Sequence, residues 1–202
     1  MEPLPLSVLP AGVRARILPG INGLDIHVLE AGYETPGRPA VLLLHGFPEL
    51  AYSWRKVLPA LAAAGYHAFA PDQRGYGRTT GWDPDYDGDL ASYRFTNLAR
   101  DALGVIDAMG HREVAAVVGH DFGASVTGYA ALMRPDIFRS MVLMSAPFTG
   151  APPLRKPRPP TPNIHDAMAA LPRPRKHYQW YYSTRPANEN MWHATQGLHD
   201  FL

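Results

Sequence analysis

Gly119-His120-Asp121-Phe122-Gly123-Ala124 is the stretch that decides how this chain folds. It comes after a short valine-rich run, residues 114–118, and precedes a stretch of helical period, residues 123–134, which Pro135 stops. A strand, a sharp turn and a helix in that order force the residue at the tip into a strained backbone. The positions two before and two after it must then be small, so that strand and helix can pass closely. Gly119 and Gly123 meet that demand. Asp121 is therefore predicted to project at the C-terminal edge of a sheet, as the tip of a nucleophile elbow. An aspartate at a helix start is also a common cap, but capping does not ask for glycine on both sides.

Outward from this turn, short runs rich in Val, Ile and Leu alternate with longer helical segments from residue 13 to residue 145, the pattern of a parallel sheet with crossover helices. Residues 13–18 and 23–30 read as two opening strands, joined by a Pro19-Gly20-Ile21-Asn22 turn and hence antiparallel. Residues 40–44, 66–70, 114–118 and 141–144 read as buried strands. The clearest helix is 97–109, where Leu98, Ala102, Ile106 and Met109 recur at helical spacing behind a Thr96 cap and before Gly110. Residues 52–64 are helical as well, with Pro59 starting a new turn.

Two more constellations fall at the same predicted sheet edge. His45-Gly46-Phe47-Pro48-Glu49 comes directly after the third strand, which would bring the N–H of Phe47 beside the elbow. With the N–H of Phe122 it would make a two-donor oxyanion hole. Pro71-Asp72-Gln73-Arg74-Gly75-Tyr76-Gly77-Arg78-Thr79 comes after the fourth strand. Its Gly-x-Gly is no dinucleotide fingerprint, because no helix opens on it and no third glycine stands at the right spacing.

In this order and context the three motifs resemble the α/β-hydrolase fold family, and within it the epoxide hydrolases. The resemblance covers residues 13–148 strongly and residues 149–202 more loosely, the latter corresponding to that family's cap domain. It implies Asp121 as nucleophile, with Phe47 and Phe122 supplying the oxyanion hole. It also implies a cap tyrosine that hydrogen-bonds the epoxide oxygen, and Lys176-His177-Tyr178-Gln179-Trp180-Tyr181-Tyr182 resembles the segment that carries it. Tyr178 is the candidate. Trp54 and Tyr182 are candidate substrate contacts, with a packing role left open for Tyr181 and Tyr182.

The chemistry of the residues agrees with this. A carboxylate attacking an acyl carbon gives an anhydride, whereas attack on a saturated carbon gives a simple ester, so aspartate at the tip selects epoxides or carbon–halogen bonds. A departing halide needs side-chain N–H donors, which Phe47 and Phe122 lack, and an alkoxide needs a proton, which tyrosine can give. Haloacid dehalogenases of this fold carry arginines near the nucleophile, where this chain has Phe122 and Ala124. A haloalkane or haloacid dehalogenase-like activity remains the alternative, alongside a non-catalytic remnant that binds small apolar ligands.

The same resemblance implies two further strands, an acid and a water-activating histidine. The chain holds no counterpart of these, so the expectation is the N-terminal portion of a longer enzyme or a truncated product, with full turnover in question. The last two core strands would be missing, and the sixth strand would form an unpaired apolar edge open to self-association. The expected domains are a hydrolase core over residues 1–147 and a proline-rich linker with a partial helical cap over residues 148–202. Within the latter, 163–171 can form a short helix.

Composition bounds the partners. The 202 residues are 46% apolar and 18% charged, with 19 Lys plus Arg against 18 Asp plus Glu, so no net field draws nucleic acid or anionic lipid. Zero cysteines exclude disulfides and thiolate chemistry. The longest apolar runs, 40–44 and 114–118, fall far short of the roughly 20 residues a membrane helix needs. The first residues, with Glu2, Pro3, Pro5 and Pro10, do not form a signal peptide. The chain reads as soluble and cytoplasmic, with a small apolar epoxide as partner and neither metal nor cofactor.

Overall fold

The computed structural model describes residues 2–150 and 163–201, in two compact units, Met1–Pro152 and Pro153–Leu202. The expected linker falls largely on 151–162, outside the described residues.

The first unit is built on a six-stranded sheet. Its strands are β1 (Val13–Ile21), β2 (Leu24–Ala31), β3 (Ala40–Leu44), β4 (His67–Pro71), β5 (Ala116–His120) and β6 (Met141–Met144). They lie in the order β1-β2-β4-β3-β5-β6. β1 and β2 pair antiparallel, as do β2 and β4, while β4, β3, β5 and β6 run parallel. The crossovers carry helices α1 (Val57–Ala63), α2 (Phe95–Ala108) and α3 (Phe122–Met133). Because strand side chains alternate faces, Leu42 and Leu44 join Ile26, Val28 and Phe69 in the cluster that α2 and α3 cover. Val41 and Leu43 join Leu29, Ala68, Ala70 and Leu58 in the cluster on the other face.

Four local expectations are corrected. The hairpin turns at Asn22-Gly23 rather than 19–22, because both residues take positive φ, 49° and 82°, as a tight hairpin of matching twist requires. Pro19 lies inside β1, where the register shifts between Leu18 and Ile21, and β1 is an edge strand that tolerates a missing donor. β5 begins at Ala116, and Val114 makes only an isolated bridge to Phe138. α2 starts at Phe95 behind Arg94, whose side chain makes no cap bond, so Thr96 is not the cap. β6 is exposed rather than buried, with Met141 and Val142 each 48% accessible.

The helical stretch at 52–64 resolves into a 3-10 turn, Ala51–Lys56, followed by α1. Pro59 is the third residue of α1, in the first turn, where an N–H would have no intrahelical acceptor. In the second unit the helices are α4 (Ile164–Ala169), α5 (Tyr178–Tyr182), α6 (Arg185–Trp192) and α7 (Leu198–Phe201). The Asn163 side chain caps α4 by accepting from the N–H of His165 at 3.0 Å. Among the described residues no helix is long and apolar enough to cross a membrane.

Candidate active site

Asp121 sits between β5 and α3 with φ 53° and ψ −117°, a conformation that side-chain-bearing residues rarely adopt. Its surroundings explain the glycines. A Cβ on Gly119 would collide with the carbonyl group of Gly123, and one on Gly123 with the backbone oxygens of Leu44 and His45. A Cβ on Gly46 would stand 2.5 Å from that of Asp121, so the loop after β3 also needs glycine where it meets the elbow. The backbone N–H of Asp121 donates to Met144 O at 3.0 Å, which fastens the tip to the end of β6.

The N–H of Phe47 donates to Asp121 Oδ1 at 3.0 Å. Phe122 is the first residue of α3, where backbone N–H groups have no acceptor within the helix. Both side chains are partly exposed, and the Phe122 ring stacks on Phe95 at 5.8 Å. Asp121, Phe47 and Phe122 are thus brought together at the C-terminal edge of the parallel strands. Trp54 lies in the apolar cluster with Leu43 and Leu58, only 7% exposed. Tyr178 and Tyr182 open and close α5 in the second unit, their rings 6.1 Å apart.

Some neighbours carried no signal beyond their place in a motif. His120 contacts Glu49 Oε2 through Nδ1 at 2.9 Å and Ser145 Oγ through Nε2 at 3.1 Å, a polar chain that assembles only when three loops converge. Tyr76 lies in the field of Asp121, and burial, followed by that charge, pushes its hydroxyl above the ordinary tyrosine range. Among the described residues no group of three or more His, Asp or Glu could hold a metal ion.

Asp72 holds the loop after β4 in place. Its carboxylate meets His27 Nδ1 at 2.9 Å and accepts from the N–H groups of Ala51, at 2.8 Å, and Arg78, at 2.9 Å. Burial opposes its charge, yet these three partners hold the carboxyl below its ordinary value of 3.8. A depressed folded-state value means that the stabilisation is fully present above the ordinary value and is lost as pH falls through the folded one. Asp72→Asn is expected to cost about 2–4 kcal/mol at neutral pH and to flatten the acid limb of the stability curve. Urea denaturation between about pH 6 and pH 3 would check this, and parallel curves for the two proteins would refute it.

A mostly parallel sheet, crossover helices and a strained aspartate between strand and helix, approached by an N–H from the loop after β3, together define an α/β hydrolase. A family model described as alpha/beta hydrolase fold matches residues 39–201, and the chain belongs to that family. It is 47% identical to epoxide hydrolase A of Mycobacterium tuberculosis over 126 residues, 62% of this chain and 37% of that protein. It also resembles an epoxide hydrolase from an endophytic Streptomyces (TM-score 0.68, 37% identity, covering 89% of this chain and 49% of that one). Potato (Solanum tuberosum) epoxide hydrolase I gives a TM-score of 0.68 at 31% identity, with 89% and 52% covered. The chain therefore spans little more than a third of the first curated relative and about half of these solved structures.

Proposed function

We propose that this chain carries the nucleophile-bearing part of an epoxide hydrolase. The observation that carries the reading is the Phe47 N–H bonded to Asp121 Oδ1 at 3.0 Å, at an elbow whose glycines admit no side chain. With one carboxylate oxygen held, the other is the attacking atom. It forms a bond to a ring carbon, the carbon–oxygen bond of the epoxide breaks, and its electron pair passes to the ring oxygen, which takes a proton from Tyr178. The product is a glycol ester of Asp121. When water attacks that ester, the charge that develops on the ester oxygen falls to the N–H groups of Phe47 and Phe122. The similarity to epoxide hydrolases supports the substrate class, and the absence of N–H donors on the Phe47 and Phe122 side chains argues against a halide leaving group. Intact-protein mass spectrometry after incubation with an epoxide tests the reading: a covalent adduct or released diol supports it, and neither product would overturn it.

The same reading extends to β6, which pairs only with β5 among the described residues and leaves Met141, Val142 and Met144 exposed. A strand of this composition with open N–H and C=O groups invites pairing with another copy. Val142→Lys is expected to lower self-association as measured by light scattering, because a charge on an edge strand opposes edge-to-edge pairing. Equal scattering from both proteins would show that association, if any, runs through another surface.

A further inference from the structure

The peptide joining Gly46 to Phe47 is gripped at its carbonyl. His45 Nδ1 lies 2.9 Å from Gly46 O, and the N–H of Glu49 donates to the same oxygen at 3.0 Å. A carbonyl only accepts, so Nδ1 carries the ring proton and Nε2 is left as an acceptor. The backbone N–H of Gln73 fills that acceptor at 3.0 Å, and Gln73 Nε2 donates to His45 O at 2.6 Å. The imidazole is 1% exposed, and the ring of Tyr76 stands edge-on to it at 4.9 Å. Both ring nitrogens of His45 are thus engaged by a neighbour.

A trans peptide is planar, with C=O and N–H pointing in opposite directions. Fixing Gly46 O on one side therefore aims the Phe47 N–H on the other, toward Asp121 Oδ1. We propose that His45 and Gln73 are positioning residues that clamp the 46–47 peptide and so hold the Phe47 donor on Asp121. They act through the backbone and touch no reacting atom. Without the clamp this peptide can turn over, which replaces a donor by a carbonyl oxygen facing a carboxylate. The inference rests on the reading of Asp121 as nucleophile for its catalytic meaning, though not for its geometry.

The test is amide hydrogen exchange at Phe47 in the full chain, resolved to single residues by fragmentation in the mass spectrometer, together with the rate of adduct formation. His45→Phe keeps an aromatic ring, though a larger one, and removes both ring nitrogens. It is expected to speed exchange at Phe47 by about tenfold or more, the loss of one hydrogen bond to a charged acceptor, while Val117 and Val118 in β5 keep their protection. His45→Asn, which retains an N–H donor near the place of Nδ1, should restore most of it. Gln73→Met should weaken protection at the same residue, and it carries the test should His45→Phe fail to fold. In adduct formation kinact should fall with KI unchanged. Unaltered exchange at Phe47 in a folded variant would overturn the proposal, as would a rise shared equally by β5. Failure of any epoxide to give either a label on the unmodified protein or a diol would instead overturn the nucleophile reading, while the exchange result still decides the clamp.

Discussion

An epoxide in excess over the folded chain is expected to raise the protein's mass by one substrate mass, with the added group remaining on Asp121. Attack needs only the carboxylate and a proton donor. Release needs a base for the water, and the two histidines that belong to the site's motifs are committed. His45 bonds Gly46 and Gln73, and His120 bonds Glu49 and Ser145. Asp121→Asn should abolish the gain, since a neutral amide is a far weaker nucleophile; the fold should survive, because the Oδ1 that accepts from Phe47 is kept. Tyr178→Phe should slow the gain by withdrawing the proton that the opening ring takes up, an effect of about 10²-fold or more. Peptide mapping decides the matter. A label on surface histidines, or an Asp121→Asn protein that labels as fast as its parent, would remove Asp121 from the chemistry.

Gly123→Ala is expected to be strongly destabilising, although it adds only one methyl group. Alanine favours a helix interior over glycine by roughly 1 kcal/mol, which would make the change stabilising on an isolated α3. Here the new Cβ meets the backbone oxygens of Leu44 and His45, and backbone cannot rotate aside as a side chain can. α3 would have to move away from β3, opening the packing around Val126 and Ala130. The net loss is about 3 kcal/mol or more, equivalent to a fall in Tm of roughly 6–12 °C for a chain of this size. Thermal unfolding followed by circular dichroism measures it. An unchanged or raised Tm would mean that strand and helix are not in the close contact described.

The strand-turn-helix at 116–133 was legible because its constraints are local: a run of valines, two glycines at fixed offsets and a proline stop. The buried strand at Ala40–Leu44 was legible for the same reason, as a short unbroken apolar run. The hairpin was misplaced by one turn signal outweighing another. Pro19-Gly20 looks like a turn in isolation, and only the pairing of Leu18 with Ile26 and of Ile21 with Leu24 shows that the chain runs on to Asn22-Gly23. The exposure of β6 cannot be read from the composition of Met141 to Met144, whose residues are as apolar as those of β3; it was legible only through the expectation that no further strand lies beside it. The contacts of His120 with Glu49 and Ser145, and those of Asp72 with His27, join residues between 25 and 71 positions apart. No spacing rule connects such pairs, so the polar framework of the site emerges only from the fold.

The bond from the Asp121 N–H to Met144 O gives the last rung of the β5–β6 ladder an unusual burden. Strand ends fray, opening and closing locally at a free energy well below that of global unfolding, and an edge strand of four residues has little to resist it. Each such excursion at Met144 frees the amide of a residue whose backbone is under torsional stress, and with it the Ser145 hydroxyl that steadies His120. The population of correctly tensioned elbows is then governed by the breathing of a strand that takes no part in the chemistry. Whatever quiets that strand, from whichever molecule it comes, acts on the Asp121 elbow at a distance without touching it.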